Sequence, residues 1–493
     1  MSPGEPFATA AMLTAFGALL ASSVVLSRAS ARFGVPVALL FLFVGVAAGT
    51  EGLGHIAFDD YHFAFRVGTA ALVLILFDGG LNTPVGAARA VLAPSIVLAT
   101  LGVLATTGLV SAAAHALGIA WTKALLLGAI VSSTDAAAVF SVLKATGTRL
   151  RQRVGHTLEL ESGFNDPMAV ILTTSLTAAL IGGGHLAALP LAGEIALQLA
   201  VGAAVGFAAG IAAHWAILRI RLPAAGLYPA FTLAICCLSF GVATLLRGSG
   251  FLAVYLTGMT LGARTLPHAV GIRRVHDALG WLSQVLMFLL LGLLVYPSRL
   301  LLVAGTGLAL AIFLAIVARP LVTVLLLAPF RYEWRESAYV GWVGLRGAVP
   351  IVLATIPVMA RLPGARELFD MVFFIVVAGA VVPGATVPWV TRVLGVRSDA
   401  PPPPKTSIEV DVRSHLGDEL RSYFVSPQLA VSGAHIRDVP FPTGAAVSMI
   451  ERGGALIAPS GSTRIEPGDY VYVIAPEESR PEVELLFGSA EEH

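Results

Sequence analysis

The stretch from about Thr157 to Leu180 has the composition of a membrane span, yet it contains Glu161-Ser-Gly-Phe-Asn165-Asp166-Pro167. A charge at the bilayer centre costs roughly 3 kcal/mol on insertion scales, so it persists only where it is paired or where it works. Two other apolar segments carry the same kind of interruption: Ser132-Ser133-Thr134-Asp135, and Gly344-Leu345-Arg346-Gly347-Ala348-Val349-Pro350. These side chains must face a protein interior rather than lipid. Acids, arginines and helix breakers gathered inside a bundle point to an ion pathway.

The rest of the chain fits that frame. Hydrophobic residues make up 56% of 493 positions, 12% are charged, and the mean hydropathy is +0.84. This describes a polytopic all-α membrane protein, because a barrel would show weaker alternating segments of about ten residues. A net charge of +1 gives no reason to expect nucleic acid as a partner. Cys236 and Cys237 are adjacent in an apolar run, which suits neither a disulfide nor a metal framework and reads as small apolar filler. Residues 1–7 lack a basic region and carry Glu5, so no secretory signal is expected ahead of the first span.

Apolar stretches separated by polar or basic breaks number about thirteen by the usual ~20-residue criterion. They cover roughly 7–27, 34–50, 67–82, 92–118, 121–144, 156–180, 189–218, 226–246, 249–263, 279–296, 300–328, 336–360 and 367–395. With the N-terminus outside, one set of loops holds about sixteen basic residues, from Arg28 to Arg397, and the opposite set about six. The richer set is expected in the cytoplasm, and an odd number of spans puts the C-terminus there too. The expected domains are a transmembrane domain over 1–397, a Pro-rich linker over 398–406 and a small α+β cytoplasmic domain over 407–493. In that last part, Ile408–Val412, Ala446–Ile450 and Tyr470–Ile474 read as strands and Glu477–Phe487 as a helix. It is too short for a dinucleotide-binding unit and has no G-x-G-x-x-G.

On a helix, Ser162 and Asp166 stack as i and i+4, and Glu161 and Asn165 form a second stacked pair about 100° around. Pro167 offers no donor to the carbonyl of Gly163. One face thus presents hard oxygen ligands suited to a group I cation or a proton; the competing reading is a polar network that packs helices. Ser132, Ser133, Thr134 and Asp135 are all good N-cap types, so a helix could stop and restart among them. A break there would aim dipole ends and loose carbonyls at the bilayer centre. The alternative is a Ser/Thr-rich packing surface with one buried Asp. Gly344, Gly347 and Pro350 favour a second break, Pro350 leaving the carbonyl of Arg346 without a donor. Arg319-Pro320 is another buried arginine beside a breaker. Glu161 needs a positive partner; Arg319 is favoured for it and Arg346 for the break, although sequence leaves both open. Asp78, near the end of a short span, marks either the membrane edge or the pathway.

The E-S-x-x-N-D signature, the Thr134-Asp135 dipeptide and the later Gly344-Leu-Arg-Gly347 resemble the cation:proton antiporters of the NhaP branch. Ser133–Val139 and Glu159–Val170 look most like bacterial potassium/proton antiporters, and the resemblance covers residues 1–397. The tail resembles a TrkA-C type regulatory domain through Arg452-Gly-Gly, Pro459–Thr463 and Pro467-Gly-Asp469. The resemblance implies a thirteen-span fold with inverted repeats, two broken crossing helices and a homodimer in a bacterial inner membrane. It assigns Asp166, Asp135, Thr134 and Ser162 to the ion, with Asn165, Glu161 and Arg319 in support and Asp78 facing the ion funnel. It differs from its relatives in two respects: an additional C-terminal module of some of them is not expected here, nor is the regulator's dinucleotide-binding lobe.

The expected activity is exchange of a monovalent cation, K⁺ ahead of Na⁺, for H⁺ at a shared Asp166, without enzymatic chemistry. Asn165 stands where electrogenic relatives carry a second aspartate, which suits one-for-one, electroneutral exchange. No tightly bound cofactor is expected, although a nucleotide or other small ligand could bind the tail. A tail-gated potassium channel or uniporter is the rival class; the absence of a T-V-G-Y-G filter speaks against it.

Overall fold

The computed structural model describes residues 5–33, 36–182, 188–220, 222–398, 418–453 and 455–488. The chain divides into two compact units, Met1–Ser398 and Asp399–His493. The Pro-rich linker beyond Ser398 and the strand expected at Ile408–Val412 lie outside the described residues.

The first unit is helical. Its helices are α1 (Glu5–Phe33), α2 (Val37–Ala48), α3 (Tyr61–Asn82), α4 (Arg89–Ala116), α5 (Trp121–Val131), α6 (Ala136–Ala145), α7 (Gln152–Ile181), α8 (Ala188–Arg219), α9 (Leu227–Leu245), α10 (Gly250–Gly262), α11 (Ala269–Leu293), α12 (Pro297–Phe330), α13 (Trp334–Trp342), α14 (Ala348–Met359) and α15 (Ala365–Val393). Among the described residues, eight are long and apolar enough to cross a membrane, and α5 with α6 makes a ninth crossing bent by 44°. Shorter apolar helices within α1 and at α2, α10 and α14 occupy the other four positions expected from hydropathy. The span expected at 336–360 is two helices, α13 and α14.

These helices sort into two bundles. In the first, α3 packs along α10 and α11, α2 along α11, and α8 along α9 and α10. In the second, α4 packs on α5, α5 on α7, α12 on α13 and α15, and α14 on α15. The seam runs where α14 meets α3 and where α7 meets α10. At one end of it Glu51, from the α2–α3 loop, accepts from the backbone N (2.8 Å) and Oγ (2.5 Å) of Ser298 in the first turn of α12.

The second bundle repeats a motif. A long helix with a π-turn, Leu98–Gly102 in α4 and Leu314–Ala318 in α12, leads into a broken pair and then another long helix. Pro320 has no N–H for the carbonyl of Ile316, which accounts for the register shift in α12. Three crossings in the first copy and four through α8–α11 bring the second copy in from the opposite side, so the repeats are inverted.

The second unit is an antiparallel sheet of order β1-β4-β2-β3: β1 (Asp418–Phe424), β2 (Ala446–Arg452), β3 (Ala455–Ile457) and β4 (Tyr470–Pro476). Tyr423, Ile450, Val471 and Val473 on one face meet Val483 and Phe487 of α16 (Arg480–Phe487). Strands were expected at β2 and β4 but not at β1 or β3. The motif residues of this unit form a staple. Arg452 donates from Nε to the fully buried Asp469 (2.8 Å) and from Nη2 to the carbonyl of Arg464 (2.7 Å), and it pairs with Glu466 (2.7 Å). The Asp469 hydrogen bonds raise the Arg452 pKa above its usual value and so hold the guanidinium charged.

Of the two cysteines, Cys236 is buried and Cys237 is exposed on α9. The filler reading therefore holds for Cys236 only.

Candidate functional site

Two chain breaks meet beside α7. The first spans Ser132–Asp135 between α5 and α6; the second spans Val343–Gly347 between α13 and α14. They are joined directly, because the amide of Asp135 donates to the carbonyl of Leu345 (2.7 Å). Of the four cap-type residues, Asp135 is the N-cap: its Oδ1 accepts from the Ala138 amide (3.2 Å). Gly347 is the residue before α14, and a Cβ there would run into the Asp135 carboxylate. The positive ends of two half-helices thus converge on one carboxylate. Pro350 lies in the first turn of α14, where a missing N–H costs least.

Arg346 closes the other end. Its Nε donates to the carbonyl of Val131 (3.2 Å), the last residue of α5, and its Nη1 donates to the carbonyl of Gly344. A cation at a helix C-terminus answers both the unpaired carbonyls and the negative dipole end.

α7 supplies the wall. Ser162 Oγ donates to the carbonyl of Thr134 (3.0 Å) and accepts from the Ala136 amide (3.2 Å), so one hydroxyl holds both sides of the first break. Asn165 Nδ2 donates to Thr134 Oγ1 (2.6 Å), and its Oδ1 accepts from the Thr134 amide (3.4 Å). Glu161 accepts from Arg319 Nη2 at 2.7 Å, both side chains being 1% exposed or less, and the Arg319 guanidinium packs against Gly344 of the second break. Arg319 is therefore the partner of Glu161, and Arg346 holds the helix break.

Asp166 lines a cavity of about 450 Å³ together with Ser133, Thr134, Asp135 and Ser162. From there the cavity runs past Glu159, Tyr255 and Gln284 to Asp78, Asp277, Asn82 and Lys144. Asn82 ends α3 and Lys144 lies in the last turn of α6, and both are exposed, so the wide end reaches one surface of the bundle. Asp78 accepts from Asn82 Nδ2 (2.9 Å) on this wall. It belongs to the cavity rather than to a lipid boundary. Three acids on the way in give the passage a field that concentrates cations.

Asp166, Asp135, Thr134, Ser162 and Asp78 thus share one cavity, while Glu161, Asn165, Arg319 and Arg346 brace it from behind. Sequence reasoning missed Glu159 and Asp277. Glu159 stands seven residues before Asp166, on the same helix face, and could have been found by that spacing. Asp277 comes from α11 of the other bundle, and no local pattern ties it to α7.

Comparison with known proteins identifies the family. The transmembrane sodium/hydrogen exchanger family matches residues 18–393, and the TrkA-C domain matches 420–488. The K(+)/H(+) antiporter NhaP2 of Shewanella oneidensis is 41% identical over 480 residues, covering 97% of this chain and 83% of that protein. The K(+)/H(+) antiporter NhaP of Alkalimonas amylolytica is 40% identical over 479 residues, covering 96% and 83%. The solved sodium proton antiporter MjNhaP1 of Methanocaldococcus jannaschii superposes with a TM-score of 0.67 at 22% identity, covering 78% of this chain and 98% of that one, and shares the fold. With its transmembrane unit matched almost end to end and its tail matched separately, the chain belongs to the sodium/hydrogen exchanger family of cation:proton antiporters and carries a TrkA-C domain.

Proposed function

We propose that the protein exchanges K⁺ for H⁺, one for one, by alternating access at Asp166. One observation carries this reading: Asp166 faces the inner end of the cavity beside two helix breaks, while Asp135 is already committed to capping α6. A bare carboxylate in a desolvated cavity is costly. A proton neutralises it, and so does a dehydrated cation held by Asp166, the Ser162 hydroxyl and the oxygens of Thr134 and Asp135. The second bundle then crosses loaded with either ion and not empty. Asn165 adds no charge, so each cycle carries one positive charge each way. K⁺ is favoured over Na⁺ by the two K(+)/H(+) relatives at 40% identity or more.

The basic loops support an N-terminus outside and a cytoplasmic C-terminal domain, and the resemblance to bacterial antiporters carries the proposal of a homodimer in a bacterial inner membrane. In that orientation the cavity opens to the cytoplasm, because Asn82 and Lys144, which line it, end helices on the side assigned to the cytoplasm. A nucleotide or other small ligand is proposed for the C-terminal domain. The test is proton flux in proteoliposomes on addition of KCl or NaCl, with Asp166→Asn as control. A K⁺-evoked response lost in the variant supports the reading; an equal or larger Na⁺ response overturns the choice of cation. Flux independent of Asp166, or not proton-coupled, overturns the mechanism.

A further inference from the structure

The last residues of the first unit, Val396–Ser398, lie against the loop that joins α6 to α7. The Arg151 amide donates to the carbonyl of Val396 (3.0 Å), the Ser398 amide donates to that of Arg149 (2.9 Å), and Leu150 and Arg397 form an antiparallel bridge. This short pairing joins the segment from which the C-terminal domain departs to a loop with site helices at both ends. α6 is capped by Asp135, and α7 carries Ser162 and Asp166.

The same loop reaches the second break. Arg151 pairs with Glu336 (3.5 Å) at the start of α13, the half-helix that leads into Val343–Gly347. Beneath the pairing is an apolar cluster separate from the main core. It gathers Val139 and Val142 of α6, Val154 of α7, Tyr339 and Val340 of α13, and Val396. A packed cluster of this kind moves as a body rather than deforming.

We propose that the C-terminal domain acts on the ion site through this knot: a pull or twist arriving at Ser398 is passed by the 149–151/396–398 pairing to the ends of α6, α7 and α13 together. The proposal deepens the antiport reading, resting on it for one of its two readouts. Two changes separate the domain from the site by different routes. Ser398→Pro removes the donor to Arg149. Insertion of about ten Gly/Ser residues after Ser398 leaves the pairing intact but adds a flexible spacer between it and the C-terminal domain. In full-length protein, each is expected to shift the apparent KM for K⁺ about fivefold, in the same direction, the lower end of ordinary coupling between sites. The double variant should match either single one, since a connection can be cut only once. Wild-type KM in either single variant, or effects that multiply, overturns the proposal.

Hydrogen exchange gives a readout that does not depend on transport. The amides of Thr134, Asp135 and Ala136 are bonded across the first break, and their exchange should change several-fold in both variants. Unchanged exchange there overturns the proposal even in a protein that moves no K⁺. Loss of Asp166-dependent flux in the wild type overturns the antiport reading alone.

Discussion

Glu161 and Asp166 sit five residues apart on α7, in the same run of sequence, yet the fold gives them opposite surroundings. Glu161 turns into the second bundle and meets Arg319 at 2.7 Å, with no access to the cavity. Asp166 turns the other way, into a cavity that reaches the surface past three more acids. A buried ion pair of the first kind fixes geometry, and breaking it leaves a charge with nowhere to go. A carboxylate of the second kind has mobile partners, a proton or a cation, that can reach and leave it. The same residue class thus serves as a fastener on one helix face and as an exchange site on the other.

The largest effect is expected where the comparison is most exposed. Asp166→Asn keeps the size and removes the charge, so it should abolish cation-evoked proton flux while leaving thermal unfolding in detergent close to that of the wild type. Retained exchange in Asp166→Asn, with loss in Glu161→Gln at unchanged stability, would reverse the assignment of the two faces.

The fastening face should respond in stability. Arg319→Met strands Glu161 in the bundle and should cost about 3–5 kcal/mol, read as lost yield and a lowered Tm. Glu161→Leu combined with Arg319→Met removes both charges and should recover most of that loss, because a paired charge is expensive mainly when one partner is missing. A double variant no better than the single one would mean that the pair contributes more than mutual neutralisation.

How much of this was legible in the sequence depends on the range of the interaction. The stacking of Ser162 with Asp166 and of Glu161 with Asn165 follows from helix periodicity alone and was readable. That Glu161 needs a cation was readable too, from the cost of a buried charge, but choosing Arg319 over Arg346 required the packing of α12 on the rest of its bundle. Thr134 and Asp135 were recognisable as cap types; that Asp135 takes the cap was settled by where α6 starts. Gly347 carried a signal only as a helix breaker, whereas its position against Asp135 depends on two breaks far apart in sequence. Asp277 was beyond reach for the same reason, since α11 belongs to the other bundle and joins the cavity only through tertiary packing. Hydropathy alone gave one span over 336–360, because a break inside an apolar run does not lower its mean; the break between α13 and α14 was legible instead from Gly344 and Gly347.

The two breaks make a second, smaller test of the comparison. Gly347→Ala adds a methyl group where the Asp135 carboxylate lies. Overpacking of this kind costs about 1–3 kcal/mol and forces a neighbour to move. Because that neighbour belongs to the exchange face, turnover should fall by at least tenfold, well beyond the effect on Tm. A variant that loses stability but turns over normally would show that Asp135 can shift without consequence for the ion.

The smallest effect belongs to the mouth of the cavity. Asp78 touches Asn82 and the cavity wall, some distance from Asp166, so Asp78→Asn removes attraction without removing a ligand. Its expected signature is a KM for the cation raised about two- to fivefold at low ionic strength, with maximal turnover unchanged. Added salt of a non-transported ion should narrow the difference, because the Debye length shrinks from about 30 Å at 0.01 M to about 8 Å at 0.15 M. A direct ligand behaves otherwise: its loss persists at high salt and lowers turnover as well as affinity. Salt dependence therefore sorts the acids of this cavity into those that gather cations and those that bind them. If Asp78→Asn proved salt-insensitive and slow, Asp78 would move from the first group to the second, and the exchange face of α7 would share its cation with α3.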